Sequence, residues 1–460
     1  MKACGRVRRQ NPKPPGYTHS SGTENPGLLP RGQVMPETIE LLVRNVRRYD
    51  DGRKVDIAIA DGLIRRISEG NGAVEPAEVL DLEGYFASPG FVEPHFHLDK
   101  CLAAEVALPG GTLDEQLEAF CEAKSRLSAE TVAERACRMG RILASRGVVH
   151  VRSFADIDQY AELRILEGLK EARRRLEGLI DVQIVAFPQM GIFTHDNTRR
   201  LLEEALEMGV DAVGGHSELE TSEAETLRQI DLVFQFARAF DVDADFHVDE
   251  SDSRTSRWLE TCARKAVEHG YRGRTSLGHG CAIAHQGPEY RRSVYAILKE
   301  ADATVVSSPT SGLLFRGHGE ANPPRGITMV KEMLDHGINV ACAQEAYRSV
   351  FSRHLRFPDP LFTGQLMAYT AKLADEEGLG TVFRMLTANP AKALRLPDYG
   401  LAEGCAADLV FLKASSIFEA LTLLSPERIT LKRGRVVARS RFNGSVWNPA
   451  LETFTDPLTI

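Results

Sequence analysis

His95 and His97 are separated by one residue, a spacing that on a β-strand points both imidazoles to the same face. Two imidazoles placed this way suit a divalent transition metal. The plainer reading is a pair of polar residues at a strand end with no shared partner. His247 opens the string His247-Val248-Asp249-Glu250, and His279 closes a later apolar run. Either histidine alone would read as a core or loop residue, but both end predicted strands. Glu250 beside a cation can collect a proton from water and deliver it to a leaving nitrogen, because its two protonation states lie close in energy there. Its alternative is an acid at a helix N-terminus, stabilised by the helix dipole. The chemistry this set would do is metal-assisted hydrolysis.

Such residues need a frame that brings distant segments together. Residues 86 to about 395 alternate apolar runs with helical patterns at a beat of roughly 30 residues. The runs are FASPGFVEPHFH, VVHVRSF, VQIVAF, DAVGG, VDADFHVD, RTSLGH, TVVSSP and INVACA. Helices are predicted over 129–145, with Ser128 as N-cap and Gly147 just beyond the end, and over 197–208, 222–239, 254–269, 288–300 and 327–336. Eight strands separated by amphipathic helices fit a (β/α)₈ TIM-like barrel, whose active site lies at the C-terminal strand ends. No Gly-rich phosphate loop follows the first strand, which argues against a nucleotide-binding sheet. Short alternating strands precede residue 84 and follow residue 396. The chain accordingly divides into a lead-in over 1–36, a small β-sandwich from 37–84 and 396–445, a hydrolase barrel over 85–395 and a tail over 446–460.

Composition sets the outer limits. The 460 residues are 43% hydrophobic and 26% charged with a net charge of −8, enough for a large core and poor for polyanion binding, so no nucleic-acid partner is expected. No apolar stretch approaches the roughly 20 residues that span a bilayer, so no membrane partner is expected either. Eight scattered cysteines without a CxxC pair suit neither a disulfide framework nor a thiolate zinc site, and point to a reducing, cytoplasmic setting. The lead-in carries six Lys and Arg against one acid, without apolar period; it reads as disordered, with Met35 as an alternative start.

PGFVEPHFHLDK, GTLDEQLEAF, VHVRSF, VAFPQMGIF, HVDESDSR, RGITMVKEMLDHGINV and ADLVFL, in this order, resemble bacterial cytosine deaminase and its relatives in the amidohydrolase superfamily, N-isopropylammelide hydrolase among them. The likeness runs from about residue 38 to 440. It implies a small heterocyclic substrate and one Fe²⁺ or Zn²⁺ per chain, held by His95, His97 and His247. It also implies Glu250 as proton shuttle, His279 holding the water, and Gln189 hydrogen-bonding the amide-like edge of the ring in a slot shaped by Phe187 and Leu113. The implied reaction is hydrolysis of a C–N bond in a cyclic amidine with release of ammonia, the metal lowering the pKa of its water to about 7. Members are often homo-oligomers, and no residue here decides that for this chain.

Departures from the family pattern gather at the pocket. Glu345 occupies the position of a family Asp that binds the metal and takes a proton, and Ala346 replaces the polar residue after it. The longer arm shifts the carboxylate by about a bond and a half, where metal–oxygen contacts tolerate only ~0.2 Å. Glu345 is therefore a ligand, a base alone, or a solvated loop acid in an impaired site. Ser349 and Phe351 stand where the family often has Asp and Trp, and Phe154 replaces a His. These changes put specificity in question: an aminotriazine or creatinine-like amine or ring amide is the alternative substrate, and a catalytically impaired ligand-binding barrel the alternative class.

Overall fold

Strand-like text from both chain ends meets in one sheet. The computed structural model describes residues 39–70, 76–103, 113–317, 321, 324–349, 357–441, 446–448 and 453–455, so the predicted lead-in lies outside the described residues. From the N-terminal side come β1 (Leu41–Arg48), β2 (Lys54–Ala60), β3 (Leu63–Ser68), β4 (Glu78–Asp81) and β5 (Phe86–Pro89). Three strands from the far end join them, and Leu409–Leu412 pairs antiparallel with β5. Val43, Val46, Ile57, Ile64, Leu409, Phe411 and Leu431 form the apolar cluster of this sheet.

The run FASPGFVEPHFH is two strands, not one. Gly90 divides it: β5 stays in the small sheet, and β6 (Phe91–Phe96) opens the barrel. A Cβ at Gly90 would stand 2.4 Å from Val149 Cγ1, so only glycine lets the chain pass that close to its neighbour.

The barrel continues through β7 (Val148–Asp156), β8 (Asp181–Phe187), β9 (Ala212–His216), β10 (Asp243–Val248), β11 (Thr275–His279), β12 (Thr304–Ser307) and β13 (Asn339–Cys342), each parallel to the next. Apart from Asp181, Gln183 and Asn339, its strands are buried, the signature of a parallel sheet covered on both faces. The seam between last and first strands is closed by a parallel bridge between Phe96 and Glu345, and by the amide of His97 donating to the Glu345 carbonyl at 2.7 Å. Behind the seam, the carboxyl group of Glu93 accepts from the backbone amide of Gln344 at 3.1 Å and from its side-chain amide at 2.9 Å.

Helices α1 (Leu113–Lys124) and α2 (Ala129–Ser145) lie between β6 and β7, and Ser128 caps α2 by accepting from the Thr131 amide. Then come α3 (Arg164–Arg175), α4 (Thr198–Glu207), α5 (Glu223–Phe240), α6 (Trp258–Glu268), α7 (Pro288–Glu300), α8 (Pro309–Phe315) and α9 (Val330–Asp335) in the crossovers. Helix α6 starts later than its sequence pattern because the carboxylate of Asp249 caps it, accepting from the amides of Trp258 (3.1 Å) and Leu259 (3.0 Å). Among the described residues no helix is long and apolar enough to cross a membrane.

Candidate active site

Three strand ends place the imidazoles. His95 and His97 come from β6 and the residue after it, His247 from β10, and all three are at most 3% exposed. Their ligand-capable nitrogens all lie within 4.8 Å of one another. His97 Nε2 and His247 Nε2 are 3.3 Å apart, against the ~3.4 Å expected of two nitrogens each ~2.1 Å from a tetrahedral cation. Among the described residues, neither ring nitrogen of His95 nor Nδ1 of His247 has a hydrogen-bond partner, although all are buried. Buried polar atoms are rarely left so. Burial also holds all three imidazoles well below their ordinary pKa, in the neutral form that binds metals. The donor set therefore fits a borderline divalent cation.

Phe154, standing where the family has a His, forms the dry wall under this cluster. Its ring lies 4.4 Å from that of His95, 5.0 Å from His97 and 4.6 Å from His247. Phe187, at the end of β8, stacks on His247 at 4.4 Å.

Glu250, His279 and Glu345 form a second convergent set, with ligand-capable atoms all within 4.8 Å. Left-handed backbone aims two of them: His279 has φ 68° and Glu345 φ 73°, conformations costly for non-glycine residues and common at functional sites. Glu345 is 6% exposed, so it is not a solvated loop acid. Glu250 Oε2 lies 3.5 Å from His279 Nε2 and 3.7 Å from His216 Nε2, while Oε1 meets Arg316 at 3.2 Å. Burial would raise the pKa of Glu250, but His279, His216 and Arg316 outweigh it and hold the carboxyl below the usual range. Its neighbour Asp249, not Glu250, is the acid that serves a helix N-terminus.

His97, His247, Glu250 and Glu345 line one narrow cavity with Leu117, Gln189, His216 and Phe315. Its free volume is about 10 Å³, room for about one water. Leu117 from α1 and Phe315 from α8 belong to a small apolar cluster with Ala103 and Phe120 that covers the mouth. Gln189 is 5% exposed, and its Oε1 has no partner among the described residues. Leu113 opens α1, but its side chain lies outside the described residues, as does Phe351.

Four groups here escape a sequence reading. His216 stands between two carboxylates, its Nδ1 3.5 Å from Glu218, whose pKa burial pushes up to about 7. Arg316 pairs with Glu250 from a loop. Glu93 braces the residue before Glu345. Behind His97 runs a buried ionic chain: Lys100 Nζ contacts His97 Nδ1 (3.1 Å), Asp99 (3.1 Å) and Asp156 (2.6 Å), and Lys124 joins Asp156 (3.1 Å) to Asp158. Asp99 Oδ1 lies 3.7 Å from His97 Nδ1, beyond hydrogen-bond reach, and has no hydrogen-bond partner among the described residues. The only signal for this chain in the sequence is Asp99-Lys100 directly after the histidine pair.

Comparison with known proteins gives a consistent result. The amidohydrolase family model matches residues 103–438. A 5-methylcytosine deaminase from Klebsiella pneumoniae, liganded with phosphonocytosine, superposes with a TM-score of 0.82 at 30% identity, covering 87% of this chain and 99% of its own. N-isopropylammelide isopropyl amidohydrolase of Pseudomonas sp. (strain ADP) is 27% identical over 88% of this chain and 98% of its own length. Pterin deaminase of Rhizobium rhizogenes is 26% identical over 84% and 88%.

Proposed function

Because this chain belongs to the amidohydrolase family, we propose that it hydrolyses the C–N bond of an amino-substituted cyclic amidine, cytosine-like in shape, and releases ammonia. The observation that carries this reading is the convergence of His95, His97 and His247, the last two lining one narrow cavity with Glu250 and Gln189. His95, His97 and His247, with Glu345 alongside, would hold one Fe²⁺ or Zn²⁺; when bound, such an ion lowers the pKa of water toward neutrality and polarises the carbon under attack.

The chain's own side chains handle protons and orientation. Glu250 takes one proton from the attacking water and hands it to the ring nitrogen, where it stays; the water's second proton, released once the C–O bond has formed, goes to the departing amine, which leaves as ammonia. His279 faces Glu250 across 3.5 Å and, with it, orients the attacking oxygen from one side. Glu345 serves as a second acceptor for the water's protons. Gln189 offers an acceptor and a donor to the amide-like edge of the ring, and a substrate lacking their complements leaves them unpaired. Phe154 and Phe187 exclude water, which strengthens each electrostatic contact.

A second reading, another heterocycle such as an aminotriazine, is favoured by Ala346, which is 2% exposed and offers no polar group beside Glu345. Ammonia release over cytosine, isocytosine, creatinine and aminotriazines, with Fe²⁺- and Zn²⁺-loaded protein, divides the two. Glu250→Gln should lower turnover by at least about 100-fold with metal content kept, since the amide cannot carry a proton. Near-full activity in that variant would remove Glu250 from the mechanism.

A further inference from the structure

Arg316 follows α8 directly after the cavity-lining residue Phe315 and buries its side chain to 9% exposure against Glu250, which also lines the cavity. A guanidinium is always charged and carries five donors. Its one ion pair among the described residues is Nη2 to Glu250 Oε1 at 3.2 Å, and neither Nε nor Nη2 completes a hydrogen bond there. Open donors on a buried cation cost free energy unless something accepts them. Glu250, which Arg316 touches, lines the same cavity as Gln189, whose Oε1 is likewise buried without a donor. The cavity thus has an unsatisfied acceptor at Gln189, and directly behind its Glu250 wall lies a cation with open donors. A single planar ring satisfies both if it carries an N–H toward Gln189 and a carbonyl oxygen toward Arg316.

We propose that Arg316 is a specificity-determining residue that donates to an exocyclic oxygen of the substrate ring, so that the substrates are oxo-substituted amino heterocycles. The inference rests on the deamination reading above and narrows its substrate class. A role confined to fixing Glu250 would leave substrate choice untouched, because every ring would then suffer alike when Arg316 is replaced.

The test compares matched rings: cytosine against 4-aminopyrimidine, and an amino-dioxotriazine against the oxygen-free aminotriazine. The wild-type protein should favour the oxo member in kcat/KM by about 30-fold or more, as charge-assisted hydrogen bonds to a substrate oxygen do. Arg316→Met should bring that preference within about 3-fold, and Arg316→Lys, which keeps a donor, should retain part of it. Calorimetric binding of uracil against pyrimidine to the same three metal-loaded proteins repeats the comparison without turnover. An oxo preference unchanged in Arg316→Met, by kinetics or by binding, overturns the proposal. A wild-type protein that releases no ammonia from any ring, yet loses its uracil preference on Arg316→Met, would sink the deamination reading and leave the Arg316 contact standing.

Discussion

Lys100 shows how much of the site is held from behind. It is fully buried, contacts two carboxylates, and its neighbour Lys124 is buried with Asp156 and Asp158. Burial would lower the pKa of Lys124, but Asp156 and Asp158 outweigh it and keep the ammonium charged. Removing one member strands the opposite charge in a dry interior, which typically costs ~3–5 kcal/mol. Lys100→Met should therefore lower unfolding stability by about that amount in urea titration, and should loosen His97 enough to weaken metal retention. A change under about 1 kcal/mol would mean the network is solvated and contributes little. The sequence shows His95, His97, His247, Glu250 and His279 because each closes an apolar run, and strand-end position is legible. It hides Arg316 and Lys124, since a lone charge on a loop or helix reads as solvent-facing until the fold brings its partner to it, and it gives no partner for His216 and Asp156 although both end strands.

At the scale of elements, strand ends that turn left-handed aim the chemistry. Asp249 (φ 50°) sits between His247 and Glu250, and its carboxylate is spent on the first amides of α6. It therefore fixes where β10 stops, where α6 starts and which way Glu250 points. Asp249→Ala should cost ~1–2 kcal/mol as a lost cap, and should depress kcat more than KM by freeing the segment that carries Glu250. Urea unfolding and steady-state kinetics on the same preparation check both parts; a stability loss with kcat intact would separate the cap from the site. The order and type of barrel elements were legible from apolar runs and caps such as Ser128. Helices α1, α3 and α8, absent from the predicted set, were not, nor were two further features. The break at Gly90 depends on a neighbour, Val149, about sixty positions away in sequence. Pro360–Ala371 and Glu376–Leu386, apolar helices after the last barrel strand, have no strand to mark them off.

Over the whole molecule, the strands after the barrel brace its base. Lys432 reaches Asp181 and Asp408 at 2.6 Å each, His150 lies 3.2 Å from Asp408, and Arg428 pairs with Asp359 at 2.7 Å. At the other face, Glu93 stores a pH dependence. Burial pushes its pKa up to about 8 from an ordinary 4.5, so the folded protein keeps a proton that the unfolded chain releases. The unfolded state then binds fewer protons between those values, and stability from this group falls as pH rises from about 4.5 to about 8, at about 1.4 kcal/mol per unit. Glu93→Gln should remove that part of the slope: its stability relative to wild type should grow from pH 5 to pH 8 and level off above. Parallel curves for the two proteins would show that Glu93 is ionised in the fold. The barrel class itself was legible in the eight-fold alternation, because burial on both faces makes parallel strands continuous apolar runs. The place where the cylinder shuts was not, because it rests on one bridge between residues 249 positions apart.

That bridge joins Phe96 to Glu345, directly between the histidines that open the barrel and the carboxylate that follows its last strand. An ion gripping both sides would act as a clasp on a hoop. Chelation should then quicken amide deuterium uptake first at Phe96, His97 and Ala346, while staves on the far side, around Val185 and Val213, stay slow. Uniform uptake around the hoop would mean that it stays shut without its rivet.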